Sequence, residues 1–404
     1  ISDLTFKSPQ FKDPFENING TIIFDNKVVL LNEFTGVVNS TKFSLKGYAK
    51  DYIESLADGE EIDITAEVEV EKLQLEEFLQ SSNAKDVKET YSFQLPKNIK
   101  LSLKFRVNYF SFRKFNAKNV VGRARLKNQT LQLKEIEMNT CGGKSFLSAT
   151  IKANVPNKVF IDSKIQLINI DVNRMFTEVE NFGQNYLRAS HLKGKLNTTV
   201  AFSCTTDGYL NVKDESILAR ADIQLDDGEL KGFESFMELE SFLNEEFHIK
   251  MSLSDLHFKT LKNVIKISNK VIEIPEMKIA SNGLNLELTG THSFENEIDY
   301  LFKIKTGEIF KAKRKNKIDE KYGVIDNKDQ TSTLPLKVTG TVDSPKFSYD
   351  VKEKKSIIKE NLVKEGQTIK EALKEEFKQV FGKEKKSEPV KTETKIKVVW
   401  DEEE

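Results

Sequence analysis

Three stretches of this chain repeat one strand pattern, each hung on an asparagine, and that repetition narrows the fold more than any other feature. After Asn26, Asn128 and Asn269 the apolar residues fall at +3, +5 and +8: Val29, Leu31 and Phe34, then Leu131, Leu133 and Ile136, then Ile272, Ile274 and Met277. Steps of two mark a strand with one face toward a core. The step of three keeps +8 on that face only if an extra residue is absorbed, so each copy is expected to carry a bulge or short kink there. Pro275 sits in that gap in the third copy, where a missing N–H is tolerable. A second strand comes next each time: Phe43, Leu45 and Gly47, then Leu147, Ala149 and Ile151, then Leu286, Leu288 and Gly290. Position +21 is small in every copy. The pattern predicts hairpin-like units that extend one sheet, none of which folds well alone.

Further strands fit between the copies, at Ile62–Val70, Ile99–Val107, Phe160–Ile168, Leu196–Phe202, Ala219–Leu225 and Leu334–Val338. Short helices are expected at Leu75–Leu79, Val172–Phe182 and Phe233–Leu243, capping or plugging a sheet end. Abundant Phe and scarce Pro and Trp agree with pleated strands over long loops. From Val351 to Lys386 the period becomes 3.6, with Ile358, Leu362, Ile369, Leu373, Phe377 and Val380 on one stripe of an amphipathic helix. Its mixed Glu and Lys face favours a helix laid on the sheet over one on a membrane surface. The tail Ser387–Glu404, with Trp400, reads as a disordered charged segment.

The expected fold is therefore mainly β: an elongated, curved antiparallel sheet forming a repeating groove, with a few short helices and a C-terminal amphipathic helix. Four segments are expected: 1–159 as the N-terminal repeat portion, 160–350 as a second β region, 351–386 as the helix and 387–404 as the tail. The chain begins at Ile1 and holds no apolar run long enough to span a bilayer, so it reads as a processed or truncated piece; if it belongs to a membrane-anchored protein, the anchor lies upstream of Ile1.

Residues that carry chemistry are sparse. Basic and acidic residues number 62 and 63, a net charge of −1, so no global field steers a polyanion and a nucleic-acid partner is not expected. His191, His248, His257 and His292 show no metal-pair spacing, and neither a phosphate-binding glycine loop nor a G-x-S-x-G elbow occurs. Cys141 and Cys204 lack C-x-x-C spacing, which argues against zinc and against a disulfide framework, a single bridge between them being the lesser alternative. Gly142-Gly143 and Asp226-Asp227-Gly228 read as hairpin turns. The basic run Lys311–Lys317 reads as a solvated loop, head-group contact being the lesser alternative. No catalytic residue, metal ligand or cofactor is expected, and the chain is read as a non-enzyme.

The segment Ala219–Lys305, "ADIQLDDGELKGFESFMELESFL" followed by "LSDLHFKTLKNVIKISNKVIEIPEMKIASNGLNLELTGTHSFENEIDYLFKIK", resembles the C-terminal region of AsmA-like proteins. "INIDVNRMFTEVENFGQ" (Ile168–Gln184), "HLKGKL" (His191–Leu196) and "GTVDSPKFSYD" (Gly340–Asp350) are similar to the Bacteroidota branch. The resemblance implies a periplasmic, inner-membrane-anchored protein whose β-groove carries phospholipid toward the outer membrane and supports its assembly, with envelope proteins as further partners. The residues expected to line such a groove are Val29, Leu31, Phe43, Leu45, Leu131, Leu133, Leu147, Ile272, Ile274, Leu286 and Leu288. The same positions fill the core of a closed sandwich, the architecture of a scaffold or interaction protein, and the sequence leaves both open.

Overall fold

The computed structural model describes residues 1–7, 13–25, 27–52, 61–79, 93–247, 252–282, 285–305 and 333–349. Asn26, His248, the run Lys311–Lys317, the helix expected over 351–386 and the tail with Trp400 lie outside the described residues. The protein is mainly β, with 18 strands hydrogen-bonded in one sheet order and three α-helices among the described residues. Two compact units divide it: 1–228 with 262–272, and 229–261 with 273–404.

In the first unit the strands follow chain order: β1 (Leu4–Phe6), β2 (Phe15–Phe24), β3 (Val28–Val38), β4 (Thr41–Lys50), β5 (Ile62–Gln74), β6 (Ile99–Phe112), β7 (Phe115–Lys127), β8 (Thr130–Thr140), β9 (Gly143–Val155), β10 (Lys158–Asp171) and β11 (Leu192–Thr206). Each pairs with the next, antiparallel in every case except β5–β6, which run parallel from Ile62↔Ile99 to Gln74↔Ser111. Parallel neighbours need a crossover, and the segment 75–98, which opens with helix α1 (Leu75–Leu79), supplies it. The expected segment boundary at 159/160 falls within β10 (Lys158–Asp171). β10 runs through that point with β9 on one edge and β11 on the other.

The repeat is realised in the backbone. Asn128-Gln129 and Asn269-Lys270 are two-residue turns with both φ positive, at 49° and 53° and at 51° and 60°. Beside Asn26, Asp25 and Val28 exchange two backbone hydrogen bonds. The extra residue sits where the step of three required it: the β3–β4 register shifts between Leu31 and Phe34, and the β8–β9 register between Leu133 and Ile136. The absorbed residues are the +7 glutamates, Glu33 at φ 51° and Glu135 at φ 53°. In the third copy Glu276 is not left-handed, and Pro275 beside it favours extended backbone.

Small residues at +21 answer to the following strand. A Cβ on Gly47 would meet the Cα of Ala66 at 2.8 Å, and one on Gly290 the Cα of Tyr300 at 2.8 Å. Gly20 and Gly122, each six residues before the anchoring asparagine, make room for the +8 side chain across the bulge, Phe34 in one copy and Ile136 in the other.

Helix α2 (Val172–Glu178) lies at strand ends, as expected of a cap. Its N-cap Asp171 accepts the Arg174 N–H at 3.1 Å and donates its own N–H to the carbonyl of Cys141 at 2.8 Å. Glu178 accepts the N–H of Asn116 at 3.1 Å. The helix gives way to a 3-10 turn, Glu180–Gly183.

Two expected turns are corrected. The β8–β9 turn is Cys141-Gly142, with Gly143 already paired to Thr140 in β9, so it sits one residue earlier than the glycine pair implied. Asp226-Asp227-Gly228 is no turn: β12 (Leu218–Lys231) runs straight through it, and Asp227 at φ 49° is a left-handed residue within the strand. The local Asp-Asp-Gly chemistry suits αL as well inside a bulged strand as in a turn.

The second unit holds α3 (Glu234–Phe247), the start of β13 (Asp255–Ser268), most of β14 (Val271–Ile279), and β15 (Leu286–Ser293), β16 (Glu297–Lys305), β17 (Thr333–Thr341) and β18 (Ser344–Ser348). The last four pair antiparallel in order. Helix α3 does not cap an end. Phe236, Leu239, Phe242 and Leu243, spaced for one helical face, are buried, and Phe242 stacks on Phe347 of β18 at 4.7 Å between ring centroids.

Candidate functional site

Register in the first unit lines apolar residues up across strands. One row runs Val29, Ala49, Ile64, Leu101, Leu126, Leu131, Ile151, Ile161, Cys204 from β3 to β11. Beside it runs Leu31, Gly47, Ala66, Leu103, Ala124, Leu133, Ala149, Ser163, Phe202. A third runs Phe34, Leu45, Val68, Phe105, Gly122, then across the bulge to Ile136, Leu147, Ile165 and Val200. The bulges at Glu33 and Glu135 keep the third row on the same face as the others.

None of these positions is exposed, yet most of the large side chains are only half-buried, among them Leu101, Leu103, Phe105, Leu131, Leu133, Leu147, Ile165 and Phe202. Side chains between two packed layers lose nearly all contact with solvent. Leu126, Ile136 and Cys204 within the rows are buried, but half-burial of the other large side chains marks a face with no second layer packed over it among the described residues. At one end the face tightens into a cluster of Val107, Ala117, Val120, Ile136 and Met138, against which Phe105, Phe110, Leu133 and Leu147 pack. A shallow hollow of about 510 Å³ opens at the ends of β3 to β6, lined by Phe43, Val70 and Tyr109 with Lys42, Glu69 and Glu71.

The predicted lining residues divide between two environments. Val29, Leu31, Phe43, Leu45, Leu131, Leu133 and Leu147 lie together on the half-buried face of the first unit, and Ile272 and Ile274 are half-buried on β14. Leu286 and Leu288 are buried, at 4% and 7% exposure, in a core where Leu288 pairs with Phe302 and Phe302 meets Phe236 of α3 at 6.3 Å. Periodicity missed most of the face, including Ile64, Leu101, Phe105, Leu126, Ile161 and Phe202, because only pairing register connects one strand's alternation to the next. Gly20 and Gly122, equally spaced before Asn26 and Asn128, were the available signal for the bulges.

The opposite face is ionic. Glu67 bridges Lys46 at 2.8 Å and Lys104 at 2.9 Å, and these two ammonium groups hold its carboxyl down to about 2. Asp63 pairs with Lys100, Glu69 with Arg106 at 3.7 Å, Glu135 with Arg123 at 3.1 Å and Glu137 with Lys144 at 3.2 Å. Such exposed pairs contribute little to stability but make that face unambiguously the wet one.

Cys141 and Cys204 are free and buried, and burial pushes both thiols up, away from the reactive thiolate. His191 is buried beside Arg188, its Nε2 3.2 Å from the guanidinium. His292 is buried, its Nδ1 2.9 Å from the Tyr300 hydroxyl, and burial lowers its pKa. His257 is exposed beside Asp255 at 3.1 Å. Among the described residues no three His, Cys, Asp or Glu side chains gather as metal ligands, and no helix is long and apolar enough to cross a membrane. Comparison with family models, with characterised proteins and with solved structures finds no match for this chain.

Proposed function

We propose that the chain is a non-enzymatic lipid-binding and transfer protein of the AsmA-like type, which holds acyl chains on the apolar face of its first unit. The observation that carries this reading is the set of three largely apolar rows, continuous from β3 to β11, in which most of the large side chains are only half-buried. Eight strand spacings of about 4.8 Å make each row about 38 Å long. An acyl chain in one bilayer leaflet spans only about 15 Å, so a row has length for two chains end to end. Each methylene moved from water onto the face contributes about 0.8 kcal/mol, enough to retain a chain without covalent chemistry.

In this reading the protein works in the periplasm, tethered to the inner membrane by an anchor upstream of Ile1, and passes phospholipid toward the outer membrane. The alternative, a scaffold that recruits envelope proteins, is favoured by one observation: in the second unit the apolar residues of α3 and of β15 to β18 are buried against one another.

The test is native mass spectrometry with lipid extraction on protein from a Gram-negative host, beside Leu133→Glu. Stoichiometric phospholipid on the wild type and its loss from a folded Leu133→Glu variant is the expected result. A lipid-free wild type, with Leu133→Glu unfolded, puts the scaffold in its place.

A further inference from the structure

The ionic face of the first unit changes character along the sheet. On β5 and β6 acids answer bases strand by strand, Asp63 to Lys100, Glu67 to Lys104 and Glu69 to Arg106. From β7 to β10 the pairing is partial: Arg123 meets Glu135 and Lys144 meets Glu137, while most of the other bases go unanswered. Arg125, Lys127, Lys134, Lys152 and Lys164 are exposed on this face and have no ion-pair partner among the described residues. Lys127 and Lys152 share one cross-strand row through Thr130, and Lys134 lies beside Arg123. Asp162, also exposed there, is the opposing charge left on β10.

Apolar side chains stand among these cations. Phe160, next to Lys152 in the β9–β10 ladder, is 38% exposed with the Lys152 ammonium 5.9 Å from its ring centroid, and Ile168 on the same strand is 40% exposed. From these features we infer a membrane-docking surface: the polar face of β7–β10 binds the anionic phospholipid head groups of a bilayer surface.

Four of the five free cations are lysines, compact point charges on flexible stems, which suit a laterally mobile layer of phosphates better than fixed carboxylates on a folded partner. The spacing is that of a broad β lattice, not of a groove tracking one strand of nucleic acid. The single exposed ring beside the cations is already covered by an ammonium, so it offers no run of stacking platforms. Phe160 and Ile168 are placed to enter the head-group layer while lysines hold phosphates. The sequence hides this surface, since the whole chain sums to −1 and only strand register collects the cations.

The experiment is flotation of the full chain with vesicles of phosphatidylcholine alone and of phosphatidylcholine mixed with phosphatidylglycerol. Binding to the anionic vesicles only, weakening as salt rises, is the expected result. Lys134→Glu/Lys164→Glu should lower that affinity about thirtyfold or more, since each basic residue near an anionic surface contributes about a factor of five. Lys259→Glu/Lys262→Glu on β13, an equal change of charge elsewhere, should stay within about threefold of wild type if surface charge acts only within a Debye length. Docking does not depend on lipid carriage: Leu133→Glu should lose bound lipid and still float. Equal binding to both vesicle types, no binding, a double variant no weaker than its control, or tighter binding to a single-stranded oligonucleotide of matched charge would each overturn the assignment.

Discussion

The two units use the same alternating strands to opposite ends. In the second unit the row Leu286, Ile304, Leu334 is buried at 4%, 0% and 2%, and rings from α3 reach Phe302 and Phe347. In the first unit the row through Leu101, Leu126, Leu131 and Ile151 has Leu126 buried and the other three half-buried, and the helix α2 sits at strand ends. The difference lies in the connections between strands. After β12 an amphipathic helix supplies a second layer, whereas the hairpins from β6 to β10 are joined by two-residue turns that leave no chain to form one. Alternation alone therefore makes an apolar face, and a connection long enough to cover it makes a core.

The largest test of that contrast is a charge placed on each face. Leu288→Glu in the second unit buries a carboxylate with no counter-ion and should cost about 4 kcal/mol or more, enough to unfold that unit. Leu133→Glu in the first unit should cost only about 1 kcal/mol, since a half-buried leucine keeps only part of its burial free energy. Hydrogen exchange followed unit by unit separates the two, and equal losses would erase the distinction.

Truncation gives a smaller contrast of the same kind. Phe242→Ala removes a ring 3% exposed and stacked on Phe347 and should cost about 3 kcal/mol or more. Phe43→Ala, half-buried with an edge contact to Phe15 at 6.0 Å, should cost about half as much by urea denaturation.

Acid should reach the two units at different pH. His292 is held below its usual 6.5 by burial, so the neutral form belongs to the folded second unit. Its contribution is complete above 6.5 and falls as pH drops below it, by at most about 1.4 kcal/mol per pH unit for one proton. Glu67 in the first unit, held near 2 against 4.5 when unfolded, contributes above 4.5 and loses that contribution only between 4.5 and 2. Denaturation midpoints for each unit from pH 8 to 4 should fall first in the second unit, and His292→Gln should flatten that fall.

The smallest effect concerns Glu238 on α3, whose Oε2 is buried with no hydrogen-bond partner and whose pKa is raised by burial, then by Asp343 and Glu234. Glu238→Gln should stabilise the second unit by about 0.5 kcal/mol, a Tm rise of about 1–2 °C in calorimetry.

Much of the fold was legible in the sequence because strands announce themselves locally. The +3, +5, +8 spacing located both the strands and the bulges at Glu33 and Glu135, since a step of three has only one way to stay on a face. Local chemistry misled at Asp226-Asp227-Gly228, where the same residues serve a bulged strand. The full apolar face and the cations opposite were not legible at all. Each is assembled by one strand pairing after another, as Phe105 opposite Gly122 is succeeded by Ile136, Leu147 and Ile165. Whether a given alternating strand would be covered depended on connections such as α3, whose partner face lies far along the chain.

The parallel pairing of β5 with β6 also has a consequence in time. Six of the other ladders, β2–β3, β3–β4 and those from β6 to β10, close over turns of two or three residues, so these hairpins can zip from their turns in microseconds. Joining Ile62 to Ile99 instead requires the intervening crossover to close first, with its loop entropy spent before any cross-strand contact forms. The first unit should therefore assemble as two blocks, β2 to β5 and β6 to β11, and their union across this one ladder sets its folding rate.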